Sequence, residues 1–167
     1  MLTRLFLISL VWCLVSLTSS GQIITWSKTR KLQWTDFKGA VTDSTAAASV
    51  VGIRFMPVEY HTAVKKGRYK ASAVFDTKLS FRVPNRATNY LLRHERLHFD
   101  IAAIFAVRLQ KRADKKGLIS EREAKIMFTE INNALMVYQE KYDDETAHGT
   151  GIVAQAGWQK ISLDQIP

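Results

Sequence analysis

The sequence predicts an α+β domain in which an N-terminal antiparallel β-sheet is followed by a two-helix hairpin. Three observations carry this expectation. Up to about Val83 the chain is rich in β-branched and aromatic residues in short runs, from Thr88 the apolar positions switch to helical spacing, and the two helical stretches are separated only by the residues around Gly117.

Three strands are expected at Ser49–Phe55, Val58–Val64 and Tyr69–Phe75, divided by turn signals at Met56-Pro57 and Lys65-Lys66-Gly67-Arg68. The third places Tyr69, Ala71, Ala73 and Phe75 on one face. Lys78 to Val83 offers a further strand, a candidate edge for pairing with an extended peptide. The connections are too short for crossover helices, so the strands are expected to form an antiparallel meander.

The first helix is predicted from Thr88 to about Lys115, with Leu91, Ile101, Ala102, Phe105 and Leu109 as its apolar stripe, cations in its last turn and Gly117 as its stop. The second opens on the capping box Ser120-Glu121-Arg122-Glu123 and buries Ala124, Met127 or Phe128, Ile131, Leu135, Tyr138 and Tyr142. A polar segment, Asp143 to Gly151, and a short amphipathic piece from Ile152 to Leu163 complete the chain.

Residues 1–20 have the layout of a secretory signal: Arg4, an apolar run from Leu5 to Leu17, then small residues. The run is shorter than the roughly 20 residues of a spanning helix. A secreted or periplasmic bacterial protein is therefore expected, with residues 21–167 as one domain. Cys13, the sole cysteine, departs with the leader, so no disulfide is expected. The whole chain carries 24 Lys+Arg against 15 Asp+Glu, and only Arg4 is lost with the leader. This excess favours anionic envelope components as partners, although the cations are spread along the sequence, and nucleic acid is not expected.

The chemistry is concentrated in His94-Glu95-Arg96-Leu97-His98. Histidines four apart share one helix face and can reach one ion, here from within the inward stripe of Leu91, Ile101 and Phe105. Glu95 lies about 100° round the helix, where a carboxylate can act as general base without ligating. An open zinc site needs a third protein ligand. Antiparallel packing sets residues 94 and 98 opposite roughly positions 135 to 143, and in the polar cluster just past that level, Asp143 to His148, His148 is the expected ligand, with Asp143, Asp144 and Glu140 as rivals. Tyr142 is expected either in the core or as a hydrogen-bond donor to an oxyanion. Asp100 is expected to orient a ligating imidazole or to cap a local contact. The variant of the motif with a downstream glycine and third histidine is excluded, because Ile101 and Ile104 occupy those places.

Together with Trp26, Trp34-Thr35-Asp36-Phe37-Lys38-Gly39, Leu91 to Asp100, Tyr142 to Gly149, Gln155 and Trp158, the motif resembles the bacterial domain-of-unknown-function family described as predicted secreted zinc-dependent proteases. The resemblance implies a zincin-like fold, a Zn2+ cofactor and hydrolysis of a peptide or protein substrate. Two other functions stay open on the sequence: a zinc amide hydrolase acting on envelope polymers, and an exported assembly module with a closed structural zinc.

Overall fold

The computed structural model describes residues 23–41 and 45–165; the expected leader and Cys13 lie outside them. Among the described residues the architecture is α+β, with antiparallel sheets and three α-helices. In chain order these are β1 (Ile23–Thr25), β2 (Ala47–Ala48), β3 (Val51–His61), β4 (Lys66–Asp76), β5 (Phe81–Arg82), α1 (Asn89–Lys116), β6 (Ile119–Ser120), α2 (Glu121–Glu145) and α3 (Ile152–Gln165).

The main sheet has the order β1-β4-β3, and β6 adds to β4 through Gly67↔Ile119. The meander expected from sequence is thus a single long hairpin, with β1 laid on the other edge of β4. Met56-Pro57 does not turn the chain: the first two expected strands are one strand, β3, with a bulge between Pro57 and Glu59. The physical reason is its edge position, where a proline without an N–H interrupts no second ladder. The segment expected from Lys78 to Val83 yields only β5, which pairs with β2 in a separate two-stranded sheet.

The inward face of β4 is as expected, with Tyr69, Ala73 and Phe75 buried and Ala71 partly buried. It joins Phe99, Ala102, Ala103 and Ala106 of α1 in one core, and Phe75 meets Phe99 at 6.0 Å between ring centroids. Between β1 and β6 the edge of β4 would be bare. Gln110 fills that gap from α1, accepting from the Ala71 amide at 2.7 Å and donating to the Tyr69 carbonyl at 3.2 Å. These bonds satisfy strand groups whose burial unpaired would be costly, and they fix α1 against the sheet.

The helix ends form as their residues dictate. Thr88 Oγ1 accepts from the Leu91 amide, Gly117 takes a positive φ of 76°, and Ser120 and Glu123 close the capping box. Contacts run in opposite directions along the two helices, Arg112 with Glu130, His98 with Gln139 and His94 with Asp143, so α1 and α2 are antiparallel. An aromatic ladder of Tyr138, Trp158 and Tyr142 ties α3 to the same end of the hairpin. No helix among the described residues is long and apolar enough to cross a membrane.

Candidate metal centre

The antiparallel hairpin aligns one turn of α1 with one turn of α2, four residues on each. His94 therefore lies opposite Asp143, and His98 opposite Gln139. His94 Nε2 and His98 Nε2 are 3.1 Å apart, and Asp143 Oδ1 stands 3.1 Å from the first and 3.0 Å from the second. A tetrahedral ion with bonds of about 2.0 Å has neighbouring ligand atoms about 3.3 Å apart. The three donors thus already stand at nearly the spacing of one face of such a shell. Two neutral imidazoles and a carboxylate are also the donor types that divalent zinc takes. Among the described residues this is the set of histidine and acidic side chains that converge closely enough for a metal.

Both imidazoles are buried. Gln139 holds His98 at two points: its Oε1 accepts from Nδ1 at 2.5 Å, and its Nε2 donates to the His98 carbonyl at 2.9 Å. With Gln139 accepting from Nδ1–H, Nε2 is the nitrogen that faces Asp143, donating to it when protonated and open to a metal when not. Burial pushes the His98 pKa down, but the hydrogen bond to Asp143 and the Glu95 charge outweigh it, so the ring stands above its ordinary value. Burial also acts to raise Asp143, yet its bonds to His94 and His98 prevail and hold it well below the usual carboxylate range. A cation in the triangle would take the place of the imidazole protons that now join these nitrogens to the carboxylate.

His94 is fixed by packing. The Tyr142 ring stacks on it at 4.6 Å, and Gly149 covers it so closely that a Cβ there would stand 2.8 Å from His94 Cγ. Its Nδ1 is buried without a partner among the described residues.

Glu95 is buried and lines the cleft beside the histidines without belonging to the donor set. Ser49, just before β3, donates its hydroxyl to Glu95 Oε2 and also lies 3.3 Å from the Glu95 carbonyl. The cleft measures about 1090 Å³ and is walled by β2, the start of α1, α2 and the 147–150 loop. Its strand is β2. Because Val83 N–H donates to the Ala46 carbonyl, alternation turns the Ala47 backbone groups away from β5, on the open side of β2. The edge expected at Lys78–Val83 is instead the covered partner, β5.

The other candidate residues lie outside the donor triangle. His148 is 76% exposed on the rim, with Nδ1 3.9 Å from Asp143 Oδ1, and it is outside the donor triangle. The cause is the backbone: α2 continues through Glu145, so Asp143 stays on the helix face that meets α1. Ala147 and His148 then take φ of 49° and 48°, turning the chain outward. Asp144 and Glu140 are exposed and outside the triangle. Tyr142 is fully buried, and its hydroxyl donates to the His94 carbonyl at 3.3 Å. Burial first, then the Glu95 and Asp143 charges, push its pKa far up, and its ring and hydroxyl together brace His94. Asp100 accepts from the Trp26 indole at 2.7 Å and lies 3.8 Å from Lys31 Nζ, a local contact and not an imidazole partner.

A scan against protein-family models finds no match to the chain, and searches of curated proteins and of solved structures find no similar protein. The family resemblance remains a reading of the motifs, and any function rests on the geometry of His94, His98, Asp143 and Glu95.

Proposed function

We propose that this chain is an exported zinc-dependent metallopeptidase with His94, His98 and Asp143 as protein ligands and Glu95 as general base, built on a zincin-like arrangement of the α1–α2 hairpin. One observation carries the proposal: three donor atoms with tetrahedral spacing converge beside a buried, non-ligating carboxylate on the wall of an open cleft.

Bound there, zinc supplies Lewis acidity toward a carbonyl and toward water. The chain's own residues do the rest. Glu95 receives the proton of the attacking water and delivers it to the leaving amine, with Ser49 holding the carboxylate in orientation. Gln139 keeps His98 in the tautomer with a free Nε2, and Tyr142 with Gly149 keeps the His94 ring from rotating. The exposed edge of β2 suits an extended peptide chain, whose main-chain groups can pair with those of Ala47.

Two imidazoles and one carboxylate also suit ferrous iron. A buried carboxylate next to the ligands but outside their set favours hydrolysis, because it gives proton transfer a base. The deciding experiment is Glu95→Gln. The zinc-loaded variant is expected to keep its metal and its fold while losing cleavage of a peptide library by about 10²-fold or more. Retained cleavage would remove Glu95 from the mechanism.

A further inference from the structure

The β3–β4 hairpin collects charge that looks scattered in the sequence. Between Val51 and Ser72 stand Arg54, Lys65, Lys66, Arg68 and Lys70 against one carboxylate, Glu59. Register puts them together. Lys66, Arg68 and Lys70 occupy alternate, exposed positions of β4, about 7 Å apart, and face solvent while Tyr69 between them is buried. Arg54 lies on the same outer face, across from Ser72, and Met56 lies across from Lys70. Glu59 is engaged within the hairpin, 3.3 Å from Arg68 Nε and 3.0 Å from His61 Nε2. It therefore offsets Arg68 in part and leaves Arg54, Lys65, Lys66 and Lys70 as the excess positive charge of the hairpin.

The same hairpin exposes apolar side chains. Met56, Val58, Tyr60 and Val64 are each at least 46% exposed. Val64 sits in the turn beside Lys65, whose φ of 51° closes it, and next to Lys66. At the turn end of the hairpin Lys65 and Lys66 adjoin the exposed Val64, and Tyr60, paired with Gly67, is exposed on the face opposite the cation row; together they make a tip matched to the boundary between anionic headgroups and acyl chains.

We propose that the tip and outer face of the β3–β4 hairpin dock on an anionic lipid surface. A dissolved polyanion would match the cations but leave the apolar side chains in water. A second copy adding to the free edge of β3 is opposed by Pro57 and the adjoining bulge, which interrupt a regular ladder there. This surface is independent of the metal centre.

The test is sedimentation of residues 21–167 with vesicles of phosphatidylcholine alone and of phosphatidylcholine with a third phosphatidylglycerol, at low and high salt. Binding is expected to the anionic vesicles only and to weaken with salt. Each cation near an anionic leaflet is worth about fivefold in partitioning, so reversing Lys66, Arg68 and Lys70 to Glu should lower binding by at least about a hundredfold. The same reversal at Lys111, Lys115 and Lys125 matches the net charge change and should cost far less. Tyr60→Ser with Val64→Ser should weaken binding while leaving its salt dependence in place. Circular dichroism identifies any variant that fails to fold, and the tip and control variants then carry the test. His98→Ala should bind vesicles like wild type, which separates this result from the zinc reading. Equal losses from the two triple reversals, no effect of the tip variant, or binding to soluble polyphosphate but not to anionic vesicles would each overturn the proposal.

Discussion

Gly149 offers a sharp perturbation because it has two reasons to be glycine. Its φ is 79°, and a Cβ there would lie 2.8 Å from His94 Cγ and 3.1 Å from Cβ and Cδ2. Gly117 has a similar φ of 76°, but a Cβ there would meet nothing within 4 Å, so Gly117→Ala carries a backbone penalty without a contact. In Gly149→Ala the left-handed backbone costs about 1–2 kcal/mol and overpacking against a fixed ring adds about 1–3 kcal/mol. The sum, about 2–5 kcal/mol, corresponds to a fall in Tm of about 4–20 °C for a domain of this size. To restore ordinary van der Waals distance the imidazole must retreat by about 0.6 Å, whereas metal bonds tolerate about 0.2 Å. Zinc affinity should therefore fall by about tenfold or more. Thermal melts in chelator give the first number, and competitive titration with a chromophoric chelator gives the second. Both alanine variants should melt early, but only Gly149→Ala should bind zinc weakly. If the two bind zinc equally, the 146–151 loop does not hold His94 and the account of that ligand is wrong.

Two further outcomes follow from contacts at the site and at the helix start. Gln139→Leu should weaken zinc binding about 10–100-fold, and Gln139→Glu, which keeps the acceptor for His98 Nδ1 but loses the donor to the His98 carbonyl, should recover part of it, read by the same titration. Glu123 is held down to about 2 by the Ser120 amide, then by the Ser120 hydroxyl and Lys116. Its folded pKa is depressed, so its stabilisation is complete above the unfolded value near 4.5 and fades as pH falls toward about 2. Glu123→Gln should flatten that acid limb of stability, measured by ellipticity at 222 nm, and should change nothing in it if the capping box is not formed.

The parts of the fold set by local chemistry were legible in the sequence. Thr88, Gly117 and Ser120 with Glu123 mark helix ends because each satisfies backbone groups within a few residues, and the antiparallel hairpin follows from so short a connection. Met56-Pro57 misleads because a turn and an edge strand both accept proline, and only the pairing partner distinguishes them. The docking of β1 and β6 on β4 depends on contacts distant in sequence. At the site, His94, Glu95 and His98 are readable from spacing alone. Choosing Asp143 over His148 needed the last turn of α2: acidic residues near a helix end suggest termination, yet here the helix runs on to Glu145. Gln139 lies one turn before Asp143 on the same face, and that spacing is the signal by which it could have been found. Ser49 has no such local mark, since only the fold brings it to Glu95.

Zinc stoichiometry tests the central claim most directly, by elemental analysis of purified residues 21–167 with Asp143→Ala and His148→Ala alongside. The zinc proposal predicts one zinc per wild-type chain, loss of tight binding in Asp143→Ala, and full occupancy in His148→Ala. A folded wild-type chain that takes up no zinc, or one that loses it through His148 and not through Asp143, would contradict the account.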